Sequence, residues 1–277
     1  MSESTSTTVP LPPARIRFMP EDKDDATFVR GGVQLAEVLR SHGMSDDDQV
    51  LDLGSGYGRL AIGLLSSGFR GGYVVLDIQK RPITWCRRHL TPFTDRRFRF
   101  VHLDVRSGRY NPRGAIAPTD LRFPVRKGSQ DCVAVFSVFT HMYEADIRRY
   151  LREIRRVLTT DGVAVTTWFV YDEARLPAAT SEETTVFPMV NEINAVTRYS
   201  EPSDPLRAIA YDEAHVHRMV ARAGLRLTRT AYGSWCGEPS TTGQDVLVLA
   251  KARPQRPSAL RRLRRRVRRV RRVRRSG

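Results

Sequence analysis

Val50-Leu51-Asp52-Leu53-Gly54-Ser55-Gly56-Tyr57-Gly58 is the stretch on which the fold turns. A short apolar run, Gln49–Leu53, ends in alternating glycines, and Leu60–Ser67 follows with helical apolar spacing. The pattern predicts a buried strand, a tight turn and a helix. Glycine suits such a turn for two reasons. It reaches positive φ without steric cost, and its backbone can touch a ligand with no Cβ in the way. In open α/β sheets, ligands bind at the carboxyl ends of the strands beside the point where strand order reverses.

Outward from this turn, strands and helices alternate. Upstream, Val29, Val33, Ala36 and Leu39 predict a helix over Phe28–His42 that ends near Gly43. Downstream, Tyr73–Asp77 reads as a second strand, with Pro82 early in the helix after it, where a missing N–H costs little. Arg97–Leu103 is a third strand and Cys132–Phe136 a strongly apolar fourth. Ile147, Leu151, Ile154 and Leu158 mark the next helix, and Asp161-Gly162 turns the chain into a fifth strand, Val163–Val170. Residues 171–210 break the rhythm. A helix over Asp212–Ala223 and strands Leu225–Thr230 and Val246–Ala250 restore it. Alternation of this kind predicts a mostly parallel sheet with right-handed crossovers.

Three carboxylates sharpen the reading. Asp52, Asp77 and Asp104 end the first, second and third strands. There they can engage a ligand ammonium, a pair of ribose hydroxyls and an adenine. Dinucleotide binding asks for G-x-G-x-x-G, which Gly54, Gly56 and Gly58 do not supply, and Asp52 would set a negative charge close to a pyrophosphate.

Taken together, D-x-G-x-G-x-G and the acidic end of strand two resemble the class I S-adenosylmethionine-dependent methyltransferases. The likeness continues through Gly72–Ile78, Phe100–Val105, Tyr110–Gly114, Ser137–Met142 and Tyr150–Leu158. It covers roughly residues 28–170 and looks like a bacterial branch that modifies glycans or secondary metabolites. The resemblance implies an α/β, Rossmann-like fold: a seven-stranded mostly parallel sheet with helices on both faces. It implies S-adenosylmethionine as cofactor, with Asp52 toward the methionine amino group and Gly54, Ser55, Gly56 and Gly58 around the methionine end. By the same likeness Asp77 takes the ribose hydroxyls, Ile78 packs on the adenine, Asp104 reaches its amine, and Val105 and Ser137 also border the cofactor. One departure is Thr159-Thr160-Asp161-Gly162, where the family usually has Lys-Pro-Gly-Gly.

Methyl transfer from a sulfonium is an in-line displacement to which the protein contributes alignment and desolvation. An oxygen nucleophile also needs a base, for which histidine is well suited near neutral pH. His141 follows strand four and is the candidate base, the alternative being a structural role in its loop. Tyr110, Asn111 and Arg113 after strand three, and the insertion 171–210 with Tyr171, Glu173, Asn191, Asn194 and Tyr199, are candidates for the acceptor pocket. Trp235 and Glu238 are weaker ones. His102 reads as buried packing. His215 and His217, at i and i+2, face different sides of a helix, and no cluster has metal-ligand spacing.

The formal charge of +16 comes almost wholly from the end of the chain. Residues 251–277 hold 14 of the 46 Lys and Arg and no acid, so the remaining 32 basic side chains face 30 acidic ones. A basic substrate groove in the body is therefore not implied. In the tail, Leu260, Leu263, Val267, Val270 and Val273 can form a stripe on a basic helix. The readings for it are an anionic membrane surface, nucleic acid through phosphates, or a solvated tail with no defined partner. Cys86, Cys132 and Cys236 form no CxxC pair, and no apolar run approaches the roughly 18 residues of a membrane span.

The expected organisation is a disordered segment 1–14, a methyltransferase domain 15–252 with 171–210 covering the substrate, and an Arg-rich tail 253–277. A cytoplasmic protein peripheral to the inner face of the membrane fits it. The expected activity is O-methylation of a small molecule or glycan. A nucleic-acid or protein methyltransferase and a non-catalytic scaffold are the alternatives.

Overall fold

A computed structural model describes residues 9–18 and 20–252. In chain order its strands are β1 (Gln49–Leu53), β2 (Gly72–Asp77), β3 (Phe98–His102), β4 (Gln130–Val135), β5 (Leu158–Trp168), β6 (Val170–Tyr171), β7 (Asn191–Asn194), β8 (Thr197–Tyr199), β9 (Ile209–Asp212), β10 (Leu225–Ala231) and β11 (Asp245–Lys251). The helices are α1 (Asp25–Ser41), α2 (Arg59–Ser66), α3 (Lys80–His89), α4 (Glu144–Val157), the short α5 (Leu176–Ala179) and α6 (Glu213–Arg222).

Seven strands form one sheet in the order β10-β11-β5-β4-β1-β2-β3. β3, β2, β1, β4 and β5 pair in parallel, and β11 runs antiparallel between β5 and β10. Order reverses between β1 and β4, so the crevice for a ligand opens above these two strands. Helices cover both faces. Phe28, Ala36, Leu60, Leu64, Ile83 and Cys86, from α1, α2 and α3, pack with Val50, Val75 and Phe98 on one side. Ile147, Leu151, Ile154, Val216 and Val220, from α4 and α6, pack with Leu51, Val133 and Leu249 on the other.

The glycine turn is set from behind by a close helix contact. A Cβ on Gly63 of α2 would lie 2.0 Å from the backbone carbon of Gly32 in α1. Only two bare backbones can approach so far, and this seats α2 directly after Gly58.

Four expectations change. Residues 9–14, read as disordered, are placed: Pro12 is buried and Leu11 packs against the core under α1. Arg17, 4 % exposed, ties this strap down by donating to the carbonyls of Pro12 at 2.8 Å and Asp22 at 2.8 Å and by pairing with Asp25. Second, β5 begins at Leu158, and Asp161-Gly162 lie inside it, where its register with β4 shifts between Gln130 and Cys132. Third, the expected strand Val163–Val170 is cut at Trp168, because Val170–Tyr171 joins a second sheet. Fourth, residues 171–210 are not a plain loop. They contribute most of that four-stranded sheet, of order β6-β9-β8-β7, with Phe169, Tyr171, Met189, Ala208 and Trp235 in its own small core. The Arg-rich tail 253–277 and residues 1–8 lie outside the described residues, and so do the readings made of them. Among the described residues no helix is long and apolar enough to cross a membrane.

Candidate active site

Gly54, Gly56 and Gly58 all have positive φ, of 78°, 54° and 81°. A Cβ on Gly54 would meet Val138 Cγ2 at 2.5 Å, and one on Gly56 would meet the Phe18 ring at 2.7 Å. The strap and the loop after β4 thus close on the turn from two sides. Between these glycines, Ser55 Oγ is buried with no hydrogen-bond partner among the described residues. A buried hydroxyl left unpaired costs about 1–3 kcal/mol, so it points to a group that the turn is built to receive.

Two carboxylates lie under the turn. Asp52, 2 % exposed, accepts from the Tyr73 hydroxyl, and burial pushes its pKa up to about 7, against the hydrogen bond, which lowers it. Asp77, 5 % exposed, ends β2 and clamps the turn. Its Oδ2 accepts from Gly56 N at 2.9 Å and its Oδ1 from Gln79 N at 2.7 Å. Burial raises its pKa as well.

Beside them opens a cavity of about 630 Å³ whose wall includes Ile78, Asp104, Tyr110, Asn111 and Arg113. Residues expected at the adenine and residues expected at the acceptor therefore share one cavity. Asn111 explains the overlap. Its Nδ2 donates to Asp104 Oδ1 at 3.1 Å and to the Val105 carbonyl at 3.0 Å, folding the loop after β3 back on the carboxylate. That bond also lowers the pKa of Asp104. Val105 itself is buried in the core, so its side chain does not line this cavity.

Residues 51–164, from β1 into β5, match the family model described as "Methyltransferase domain". The chain carries a class I S-adenosylmethionine-dependent methyltransferase domain. Three solved structures share the fold of this methyltransferase. The 1,6-didemethyltoxoflavin-N1-methyltransferase of Burkholderia thailandensis, bound to 1,6-didemethyltoxoflavin and S-adenosylhomocysteine, is 18% identical. The match covers 83% of this chain and 80% of that one, with a TM-score of 0.52. The glycopeptide N-methyltransferase MtfA is 17% identical over 80% of this chain and 90% of its own, at 0.52. The CcbJ methyltransferase of Streptomyces caelestis is 16% identical over 84% and 91%, also at 0.52.

The methyltransferase places its remaining candidates around the end of β4. Ser137 adopts φ 54°, rare for a residue with a Cβ. It is held there by its N–H to Thr167 Oγ1 at 2.7 Å, and its hydroxyl donates to Gln244 Oε1 at 3.1 Å. His141, at the end of a short 3-10 turn (Phe139–His141), packs edge-on against Tyr110 with ring centroids 5.8 Å apart. Its Nδ1 lies 3.0 Å from the Leu206 carbonyl, and since a carbonyl only accepts, Nδ1 carries the proton. Burial lowers the His141 pKa below the ordinary histidine value. Arg109 pairs with Asp204, so the loop after β3 and the insertion meet over His141.

Other candidates serve packing. Asn191 donates to the Ser200 carbonyl at 3.2 Å, and Trp235 donates to buried Asp245 at 2.7 Å. His102, read as plain packing, lines the cavity with Nε2 3.1 Å from the Ile78 carbonyl. Tyr57, Gln79 and Lys80 also line it and were not singled out. Tyr57 lies within the glycine motif, where an aromatic between two glycines was the available signal. Among the described residues, no three His, Cys, Asp or Glu side chains are grouped to hold a metal ion.

Proposed function

We propose that this methyltransferase methylates an oxygen of a small-molecule or glycan acceptor, held between the end of β4 and the cover formed by residues 171–210. The observation that carries the reading is His141. Its Nδ1 proton is committed to Leu206, which leaves Nε2 as the basic nitrogen, and burial keeps the ring neutral near pH 7.

The described residues fit the cofactor. The glycine turn is bare backbone at three left-handed positions, an unpaired hydroxyl sits within it, and the cavity is walled by Ile78 and Asp104. In this reading Ile78 and Asp104 hold the adenine. Asp77 uses the lone pairs left after Gly56 and Gln79 to accept from the ribose hydroxyls. Asp52 compensates the methionine ammonium. Bound there, S-adenosylmethionine supplies an electrophilic methyl group. The chain aligns the acceptor, excludes water with the cover and takes the acceptor proton at His141 Nε2. Ser137 and Gln244 border the methyl side.

Replacing His141 by Ala is expected to lower kcat by about 100-fold or more while S-adenosylhomocysteine affinity stays unchanged. Initial rates with a methylated hydroxyl acceptor, beside calorimetric titration, check this, and normal turnover would reject His141 as base. In the parent enzyme the acidic limb of the kcat profile is expected below the ordinary histidine pKa of 6.5, because burial favours the neutral ring.

Asn111→Ala is expected to weaken S-adenosylhomocysteine about fivefold, since Asp104 loses the donor that orients it. An analogue with oxygen in place of the adenine amine should lose less. Equal losses for both ligands would mean that Asn111 shapes the loop without aiming Asp104.

A further inference from the structure

A second cavity, of about 590 Å³, lies along the outer side of α3. Tyr57 and Trp85 give it an aromatic floor, and Lys80, Arg81 and Arg88 rim it. The rings are braced. Trp85 stacks on His89 at 5.0 Å and meets Tyr57 edge-on at 6.4 Å, while Phe18 packs on Tyr57 at 5.5 Å. Among the described residues no carboxylate lines this cavity. Among the described residues, the side chains of Lys80, Arg81 and Arg88 form no ion pair and no hydrogen bond. The helix reads Lys80-Arg81-Pro82-Ile83-Thr84-Trp85-Cys86-Arg87-Arg88-His89 and carries no acid. Tyr57, Lys80 and Arg81 also line the cofactor cavity, so the two spaces adjoin.

We infer that this groove binds a nucleoside diphosphate, its base on the Trp85 and Tyr57 rings and its phosphates among Lys80, Arg81 and Arg88. Aromatic floors bind bases with little dependence on sequence, and Lys and Arg supply the donors that phosphate oxygens require. Inorganic phosphate alone would leave the apolar floor wet, and an uncharged ring would leave Arg81 and Arg88 without a partner. The methyltransferase cofactor has no phosphate, and Trp85 and Arg88 lie outside the cavity proposed for it. Because the cavities adjoin, a group carried on the nucleotide would extend toward the cofactor.

The test is calorimetry of the full chain saturated with S-adenosylhomocysteine, titrated with uridine diphosphate, uridine and inorganic pyrophosphate. Uridine is chosen so that the base does not compete for the adenine site. Uridine diphosphate is expected to bind in a 1:1 ratio and more tightly than either fragment. Arg88→Glu should weaken it about tenfold. Trp85→Ala should weaken it at least about fivefold and leave pyrophosphate unchanged. Neither residue lines the cofactor cavity, so S-adenosylhomocysteine affinity should persist in both variants and shows that they fold. Three results overturn the inference: no uridine diphosphate binding at millimolar concentration, equal binding of pyrophosphate and uridine diphosphate, or affinity unchanged in both variants. The last would put the anion elsewhere, as on the arginines of 253–277. A chain that fails to bind S-adenosylhomocysteine would refute the cofactor reading, while the same titration without it still reports on the groove.

Discussion

Asp77→Ala is expected to weaken S-adenosylhomocysteine by about 100-fold or more in isothermal titration. The carboxylate is 5 % exposed and does two jobs at one point. It holds Gly56 N at 2.9 Å, which fixes the turn, and in the proposed complex it accepts from both ribose hydroxyls. Hydrogen bonds to a buried charge are worth about 1.5–3 kcal/mol each, so losing two accounts for the factor. Truncation also leaves Gly56 N and Gln79 N without their acceptor, and a fall in Tm should accompany the loss. Asp77→Asn separates the effects. It keeps the shape but offers a donor where one backbone N–H already points, so the turn is disturbed less and the ribose loses one acceptor. An unchanged dissociation constant in Asp77→Ala would remove this residue from the cofactor site.

Asp52→Asn is expected to make the protein more stable at pH 8, by about 4 kcal/mol, and to leave stability near pH 4 unchanged. Burial raises the folded pKa to about 7, whereas an unfolded Asp titrates near 3.8. Between those values the folded state holds the proton and the unfolded state has released it. Stability from this group is thus full below the unfolded pKa and falls as pH climbs toward 7. The gap between those two values corresponds to about 4 kcal/mol. Asn keeps an acceptor for Tyr73 and has no proton to lose. Asp245, whose folded pKa is about 6, slopes the same way and remains in the variant. Denaturant unfolding of both proteins from pH 4 to pH 8 decides the matter, and parallel curves would show that Asp52 does not titrate in this window. The proposed function predicts the opposite sign for ligand binding. A bound ammonium favours the charged carboxylate, so Asp52→Asn should bind the cofactor more weakly at pH 8 even as it resists denaturant.

The centre of the sheet was legible because its strands join an apolar run to a sharp local signal. Val50–Leu53 runs into glycines, and Cys132–Val135 is apolar without a break. The acidic strand ends were legible as positions, but not their structural part: Asp52 accepts from the Tyr73 hydroxyl, and Asp77 accepts from Gly56 N and Gln79 N. The second sheet was not. Asn191–Asn194 and Thr197–Tyr199 are three or four residues long and polar on most positions; they form a short hairpin that joins the sheet only where Ile209–Asp212 lies beside Thr197–Tyr199. The strap before α1 escaped notice because its fastening is Arg17 on backbone carbonyls, and composition does not reveal where carbonyls point. The basic groove on α3 was hidden by averaging. A body of 32 basic and 30 acidic residues reads as neutral, yet Lys80, Arg81, Arg87 and Arg88 share one helix with no acid beside them. Tyr110, Asn111 and Arg113 stand out in the sequence as polar residues of one loop, and only the folded chain shows Asn111 turned back on Asp104.

Val170–Tyr171 runs parallel to Tyr211–Asp212, so the chain enters and leaves the second sheet at the same spot. Asp245 secures the entry by accepting from Val170 N at 2.8 Å and Gly233 N at 2.9 Å, contacts that involve nothing between 172 and 210. An excursion whose ends already touch can be rewritten or lengthened cheaply, at about 0.6 kcal/mol for each doubling of its length. Under the proposed function the core and its cover can therefore diverge at different speeds wherever the Leu206 carbonyl that takes the His141 Nδ1 proton is kept. If the excursion covers the acceptor as proposed, transplanting it with the Leu206 contact intact is the economical way to move a taste for one acceptor onto another scaffold.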